Sequence, residues 1–112
     1  MTYENVLTAL SDPTRRHIFE TLRVSPSTVT KLAASQPVSR PAVSQHLRVL
    51  EEAGLVKARP QGTKRIYHLQ PDGLASLRSY IDGFWDDVLT SFADSINNSS
   101  GGSHDGPGSK DD

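Results

Sequence analysis

The sequence contains no cysteine among its 112 residues. Disulfides, thiolate metal sites, iron–sulfur clusters and cysteine nucleophiles are therefore excluded, together with any redox or metal sensor built on cysteine. The chain also lacks long apolar runs, and its first residues lack the basic segment of a signal peptide. We therefore expect a cytoplasmic protein without a membrane partner, and this length leaves room for one small domain.

Charge is unevenly distributed, although the formal net charge is only −1. Residues 1 to 80 carry 11 basic and six acidic side chains, whereas residues 81 to 112 carry one lysine and seven aspartates. A polyanion responds to charges within about one Debye length, roughly 8 Å at physiological salt. The near-neutral total therefore does not exclude a nucleic-acid partner, and the first 80 residues are the candidate binding region.

Capping residues and apolar spacing predict four helices in the first half of the chain. A short helix with apolar residues between positions 3 and 10 precedes Asp12-Pro13, which predicts a second helix because Asp accepts from free N–H groups and Pro suits the first turn. This helix ends before Ser25. A third helix runs from Ser27, its capping residue, to about Ser35, and a fourth from Ser39 to Ala53.

A β-hairpin is predicted directly after the fourth helix. Gly54 supplies the left-handed residue that ends the helix, residues 55 to 59 form one strand, and residues 65 to 69 return as the second strand after a turn at residues 60 to 63. Two helices joined by a short turn and followed by a hairpin make a winged helix-turn-helix. An isolated hairpin is marginally stable, so we expect it to pack on the helices.

The residues from Pro71 to about Ile96 predict one long helix, because their apolar members recur at spacings of three and four. Tyr80, Trp85 and Leu89 widen the apolar stripe beyond what so small a domain needs for its own core. We interpret this surplus as a subunit interface. The ordered domain is predicted to span residues 1 to 96, and the polar, Gly- and Ser-rich residues 97 to 112 are predicted to be disordered.

The fourth helix is predicted to have one anchored and one free face. Val43, Leu47 and Leu50 share a narrow arc, and polar residues occupy the opposite arc. Reading the major groove requires a slim polar face with bidentate donors near the start of the helix. An ordinary solvated face is the alternative, and for His46 phosphate contact and packing against the turn both remain open. The candidate DNA contacts are Ser39, Arg40, Pro41, Ser44, Gln45, His46 and Arg48.

The hairpin tip places three cations and a glycine on a short loop, which suits contact with phosphates or the minor groove. The same charges would also protect an exposed edge strand from pairing with other chains, and the two roles are compatible. Arg15, Arg16 and Lys31 remain open between phosphate contact and simple solvation. The candidate wing contacts are Arg59, Gln61, Thr63, Lys64 and Arg65.

Three segments resemble the ArsR/SmtB family of winged-helix repressors. They are DPTRR at residues 12 to 16, VSRPAVSQHLRVLEEAGLV at residues 38 to 56 and GTKRIY at residues 62 to 67, within a match over roughly residues 3 to 92. The resemblance implies a homodimer, built from the first and last helices, that binds an inverted repeat in a bacterial promoter and usually represses transcription. The interface residues expected from it and from the apolar faces are Tyr3, Val6, Leu7, Leu77, Ile81, Phe84, Trp85, Val88 and Phe92.

The chain departs from the family where many members sense metals. They use cysteines in the helix before the turn, or Asp and His pairs on the last helix, whereas this chain has no cysteine and no histidine in the predicted last helix. Carboxylates alone suit zinc or arsenite poorly, and His17 and His68 have no second ligand at metal spacing. The chain thus resembles the metal-independent SdpR-like autorepressors, and we expect no metal and no cofactor.

Three functions remain open at this level. The first is an operator-specific repressor that binds double-stranded DNA on the bacterial nucleoid. The second is a winged-helix protein-interaction module whose Trp85 stripe contacts another protein, and the third is a repressor that responds to an unknown small molecule bound near a dimer interface. An enzyme is not expected, because the sequence has neither a phosphate-binding glycine loop nor a catalytic Ser/His/Asp or paired-carboxylate arrangement.

Overall fold

The computed structural model describes residues 2 to 102. Its elements, in chain order, are α1 (Tyr3–Ser11), α2 (Pro13–Val24), α3 (Val29–Ala34), α4 (Arg40–Glu52), β1 (Val56–Gln61), β2 (Lys64–Leu69) and α5 (Pro71–Gly102). The predicted architecture, mainly helical with one antiparallel hairpin in a winged helix-turn-helix, is confirmed. The chain divides into two units, one ending at Arg78 and the other beginning at Ser79.

Polar side chains cap the first four helices, and caps were predicted for the last three of these. Asp12 and Ser39 are the N-caps of α2 and α4, and each accepts a hydrogen bond from the backbone N–H three residues further on. The cap of α3 is Thr28 and not Ser27, which was predicted. Ser27 is extended instead and exchanges two backbone hydrogen bonds with Tyr67 of β2, at 3.0 and 2.8 Å. This pairing removes Ser27 from the helix.

One apolar core holds the first unit together. Leu47 and Leu50 of α4 are fully buried in it, and so is Val6 of α1. The expectation that Val6 lies in a subunit interface is therefore wrong, because its side chain is enclosed within its own chain. The buried apolar residues are Val6, Ala9, Ile18, Leu22, Leu32, Val43, Leu47, Leu50, Ala53, Leu55 and Val56.

The hairpin is longer and its turn tighter than predicted. The strands pair from Val56 opposite Leu69 to Gln61 opposite Lys64, which leaves a two-residue turn at Gly62 and Thr63 instead of the predicted four residues. Gly62 has a φ of 64°, the positive value that two-residue hairpin turns require. Because β2 also pairs with Ser27, the hairpin is attached to the helices by hydrogen bonds as well as by packing.

A close backbone contact joins the end of α4 to the beginning of α5. Gly54 follows α4 with a φ of 74°, as predicted, and its carbonyl accepts a hydrogen bond from the Gly73 N–H at 2.8 Å. A Cβ atom on Gly73 would lie 2.5 Å from the Ala53 carbonyl oxygen, which is closer than real Cβ contacts. Glycine at position 73 therefore allows the first turn of α5 to pack on the end of the fourth helix.

The described part of the second unit, residues 79 to 102, is the distal part of α5. Its side chains from residue 79 to residue 98 are all exposed. The helix continues to Gly102, beyond the predicted end near residue 96, because each residue added to an existing helix gains a hydrogen bond without a new nucleation cost. The rest of the predicted tail, residues 103 to 112, lies outside the described residues. Within residues 2 to 102, no helix is sufficiently long and apolar to span a membrane.

Candidate nucleic-acid interface

The polar residues of α4 lie on its outward face. Arg40, Ser44 and Gln45 are exposed, while Val43 and Leu47 on the opposite arc are fully buried. The buried arc anchors the helix, so the exposed arc is presented with little freedom to rotate. This is the arrangement that the major groove requires of a recognition helix.

The exposed face of α4 also has a direction. The first turn, residues 40 to 43, contains no acidic side chain, and the Ser39 hydroxyl accepts from the Ala42 N–H at 3.2 Å. This end of the helix carries the positive end of the dipole and the Arg40 guanidinium. Glu51 and Glu52 lie at the other end. A polyanion is therefore attracted to the beginning of α4 and repelled from its end.

Arg48 differs from the other candidate contacts on α4. Its Nε lies 3.7 Å from a Glu52 carboxylate oxygen, one helical turn away, and the two side chains are 73% and 71% exposed. Ion pairs this exposed contribute little stability because water screens them. Arg48 is thus accessible to a phosphate, but it shares its charge with Glu52.

His46 lies towards Asp12 at the beginning of α2. The pKa of Asp12 is lowered from its ordinary value, first because its carboxylate accepts a hydrogen bond from the Arg15 backbone N–H at 2.9 Å. Desolvation partly offsets this effect, and the charges of His46 and Arg15 lower the pKa further. His46 is half-buried on α4, and the two roles that the sequence left open for it, phosphate contact and packing, stay predictions.

The register of the hairpin separates its side chains into two faces. Residues directly opposite each other share a face, and neighbours along a strand alternate. Val56, Ala58 and Tyr67 lie on the face that packs towards the core. The opposite face is basic. It carries Lys57, Arg59, Gln61, Lys64, Ile66 and His68.

This register adds Lys57 to the candidate site and places Arg65 on the opposite face of the hairpin. Lys57 lies on the same face as Arg59 but was not among the predicted contacts, although the two-residue period of a strand could have found it. Arg65, which was among them, lies on the other face with its guanidinium carbon 5.9 Å from the centre of the Tyr67 ring. Its charge is thereby held against an aromatic side chain of its own strand.

Comparison with known proteins identifies the family. Residues 12 to 58 match the family described as bacterial regulatory protein, arsR family. The chain is 56% identical over 88 residues to the HTH-type transcriptional regulator Rv2034 of Mycobacterium tuberculosis, covering 79% of this chain and 82% of that protein. The chain belongs to the ArsR family. It is therefore a DNA-binding transcriptional regulator of the helix-turn-helix type and not an enzyme.

Two further ArsR-family comparisons extend this result. The transcriptional repressor SdpR of Bacillus subtilis is 35% identical over 65 residues, which cover 58% of this chain and 72% of that protein. The solution structure of Mb0332 from Mycobacterium bovis, a homodimeric winged helix-turn-helix DNA-binding domain, superimposes with a TM-score of 0.60. It is 26% identical and covers 75% of this chain and 78% of the other.

Arg15 and Arg16, for which the sequence allows either phosphate contact or solvation, form hydrogen bonds within the chain instead. The Arg15 guanidinium donates from Nε to the Ala9 carbonyl at 2.6 Å and from a terminal nitrogen to the Thr8 carbonyl at 3.3 Å. The Arg16 guanidinium donates to the Leu10 carbonyl at 2.8 Å. Both residues therefore cap the end of α1. Lys31 remains exposed on α3.

A small open pocket of about 200 Å³ lies between α1 and α4. Its lining residues are Asn5, Thr8, Val49, Glu52 and Ala53. In the part of the chain that the structure describes, no three His, Asp or Glu side chains are grouped closely enough to hold a metal ion.

Proposed function

We propose that this ArsR-family regulator is a homodimeric repressor that binds an inverted-repeat operator through α4 and the basic face of the hairpin. The observation that carries the proposal is a pair of exposed cationic surfaces on the first unit. One surface begins at Arg40, and the other is formed by the outward side of the two strands. Each surface matches a different part of a DNA duplex, the base edges and the phosphates respectively.

We assign a different part of DNA recognition to each surface: base contacts to α4 and phosphate contacts to the hairpin. Arg40 and Gln45 have the forked donors and acceptors that distinguish guanine and adenine, and Ser44 between them is small enough to allow close approach. Lys57, Arg59 and Lys64 are point or planar charges on a strand face and suit the phosphate backbone. The exposed Gln61 and Thr63 at the hairpin tip add polar contacts there.

A second copy of the chain is the partner that best fits the exposed face of α5. Phe84, Trp85 and Phe92 are 60%, 55% and 62% exposed, and contiguous apolar surface on this scale marks an interaction site. Tyr3 and Leu7 of α1 are also accessible, and the homodimeric state of Mb0332 supports self-association. A two-fold dimer presents two recognition helices, so the half-sites are inverted and about 34 to 36 Å apart.

Repression is independent of metal in this proposal. The chain has no cysteine, and its described carboxylates and imidazoles are dispersed. The similarity to SdpR, which is named a transcriptional repressor, supports repression and not activation. We place the protein in the bacterial cytoplasm, on the nucleoid when it is bound to DNA.

The test is to select duplexes from a random pool with the full chain and then to measure binding by fluorescence anisotropy across a salt series. We expect the selected inverted repeat to bind at least ~10³-fold more tightly than a scrambled duplex, with or without chelator. Arg40→Ala should cost about 1 to 3 kcal/mol more on the selected site than on a scrambled duplex. Lys64→Ala should weaken all duplexes alike and reduce the salt slope by about one.

Arg40→Lys is the matched control, because it keeps the charge and removes the planar fork that pairs with guanine. It should bind random duplexes like the wild type and still lose specificity. If Arg40→Ala and Lys64→Ala each lost the same affinity for selected and for scrambled DNA, the assignment of base contacts to Arg40 and phosphate contacts to Lys64 would be contradicted. Sensitivity to chelator would contradict metal independence, and failure to select any duplex by a monomeric chain would favour the protein-interaction module.

A further inference from the structure

We propose that Arg15 and Arg16 are positioning residues that determine which half-site spacing the dimer accepts. They do so by fixing the angle between α1, which carries part of the proposed dimer interface, and the helix-turn-helix. The inference rests on the proposed function, since it concerns the operator of a dimeric repressor. It adds a role for two cations that do not belong to either DNA-contacting surface.

The joint between α1 and α2 is formed by directional bonds. The last carbonyl groups of a helix have no partners inside it, and residues 3 to 11 include no basic side chain that could satisfy them. Arg15 and Arg16, from the first turn of α2, supply three hydrogen bonds to successive carbonyls of α1, at 2.6, 3.3 and 2.8 Å. Charged donors at the negative end of a helix form stronger bonds than neutral donors.

Apolar packing alone does not determine this angle. Val6 and Ala9 attach α1 to the core, but hydrophobic contact has no preferred direction. The guanidinium groups are planar and rigid, so their bonds oppose a change of tilt between the two helices. Asp12 lies between the two helices and caps α2, accepting a hydrogen bond from the Arg15 backbone N–H at 2.9 Å.

The consequence for DNA follows from two-fold symmetry. Leu7 of α1 is 47% exposed and belongs to the proposed interface. A tilt of α1 therefore changes the distance between the two recognition helices, and each protomer contributes such a change. Adding one base pair between the half-sites shifts them by about 3.4 Å and rotates them by about 35°. If the joint between α1 and α2 is rigid, the dimer cannot follow this displacement and binds the altered site weakly. If the joint is loosened, the dimer adjusts and keeps more of its affinity.

The experiment uses the full chain and duplexes that carry the selected inverted repeat with spacers lengthened or shortened by one or two base pairs. We expect the wild type to lose about tenfold in affinity for each added base pair, because a displaced half-site loses base contacts in the same way as a mismatched one. For Arg15→Ala and Arg16→Ala, we expect the loss to fall below threefold per base pair. Arg15→Lys keeps the charge and one donor group but loses the planar fork that bonds two carbonyls, so it should recover only part of the spacing preference.

Arg23→Ala is the matched control, because it removes the same charge from the exposed last turn of α2. It should keep the wild-type spacing profile. Urea unfolding and sedimentation of every variant establish that it is folded and dimeric. Arg16 is exposed, so its replacement provides a folded variant even where Arg15→Ala does not fold.

Two results would overturn the proposal in different ways. Folded variants that bind every spacer more weakly but keep the wild-type profile would show a purely structural role for the two arginines, and the repressor itself would stand. A wild-type chain that selects no inverted repeat would overturn the proposed function and this inference together.

Discussion

The two units of this protein contain similar apolar side chains in opposite environments. In the unit that ends at Arg78, eleven apolar residues are fully buried by helices and a hairpin that pack around them. In the unit that begins at Ser79, a single helix carries Ile, Phe, Trp, Val and Leu side chains that are 39% to 62% exposed. Both sets contain Ile, Leu and Val, and the exposed helix adds aromatic residues. The environments differ because only the first unit supplies a second layer of structure that covers its apolar side chains.

This difference indicates that the two units obtain their stability from different sources. The first unit buries its apolar surface within one chain, so its stability is intrinsic. The second unit gains stability only when another surface covers it, and the covering surface proposed above is a second copy of the same chain. Stability that comes from association depends on concentration, whereas stability from an internal core does not.

The largest expected effect comes from the internal core. Leu47→Ala leaves a cavity in the middle of the α4 contact, and the unfolding free energy should fall by about 2 to 5 kcal/mol. Urea unfolding at several protein concentrations measures this loss, which should be the same at each. Leu47→Met, which nearly conserves volume, should cost less than about 1.5 kcal/mol. A loss below about 1 kcal/mol for Leu47→Ala would contradict the core assignment.

A smaller effect is expected on the exposed helix, and it should affect association instead of folding. Trp85→Ala removes a large aromatic side chain from the proposed interface, so the dimer Kd should rise roughly 30-fold, or about 2 kcal/mol. Sedimentation equilibrium measures the shift. Asp87→Ala, on the polar side of α5, is the control and should leave the Kd unchanged. An unaltered Kd for Trp85→Ala, or a monomeric wild type, would contradict the claim that a second copy of the chain covers the exposed face of α5.

The smallest effect concerns the pH dependence of the first unit. Because the pKa of Asp12 is lowered from 3.8 on folding, its ionised form stabilises the folded state. This contribution is fully present above pH 3.8 and is lost as the pH falls through the lowered value. Asp12→Asn keeps the cap without the titration, so the stability of the wild type relative to this variant should decline between about pH 5 and pH 2.

Urea unfolding of both proteins across this range measures the difference. Asp12→Ser, a second uncharged cap, should behave like Asp12→Asn. Curves that remain parallel down to the lowest pH would show that ionisation of Asp12 does not stabilise the fold.

Local patterns predicted most of the fold and the outward face of α4. Asp12 and Ser39 were recognised as caps because capping is a contact over three residues, and the two arcs of α4 follow from the helical period. The hairpin turn was predicted at residues 60 to 63, but Pro60 and Gln61 belong to β1. Pro60 is accommodated in β1 because this strand pairs on one side only, with β2.

The sequence by itself determined the elements, their two-sided character and the resemblance to the ArsR family, because periodicity and capping act within one element. The tertiary structure alone decided that Val6 is core, that Lys57 and Arg65 lie on opposite faces of the hairpin, and that Arg15 and Arg16 bind the end of α1. These outcomes depend on which elements approach each other and in what register. Spacing along a single element carries no information on such contacts between separate elements.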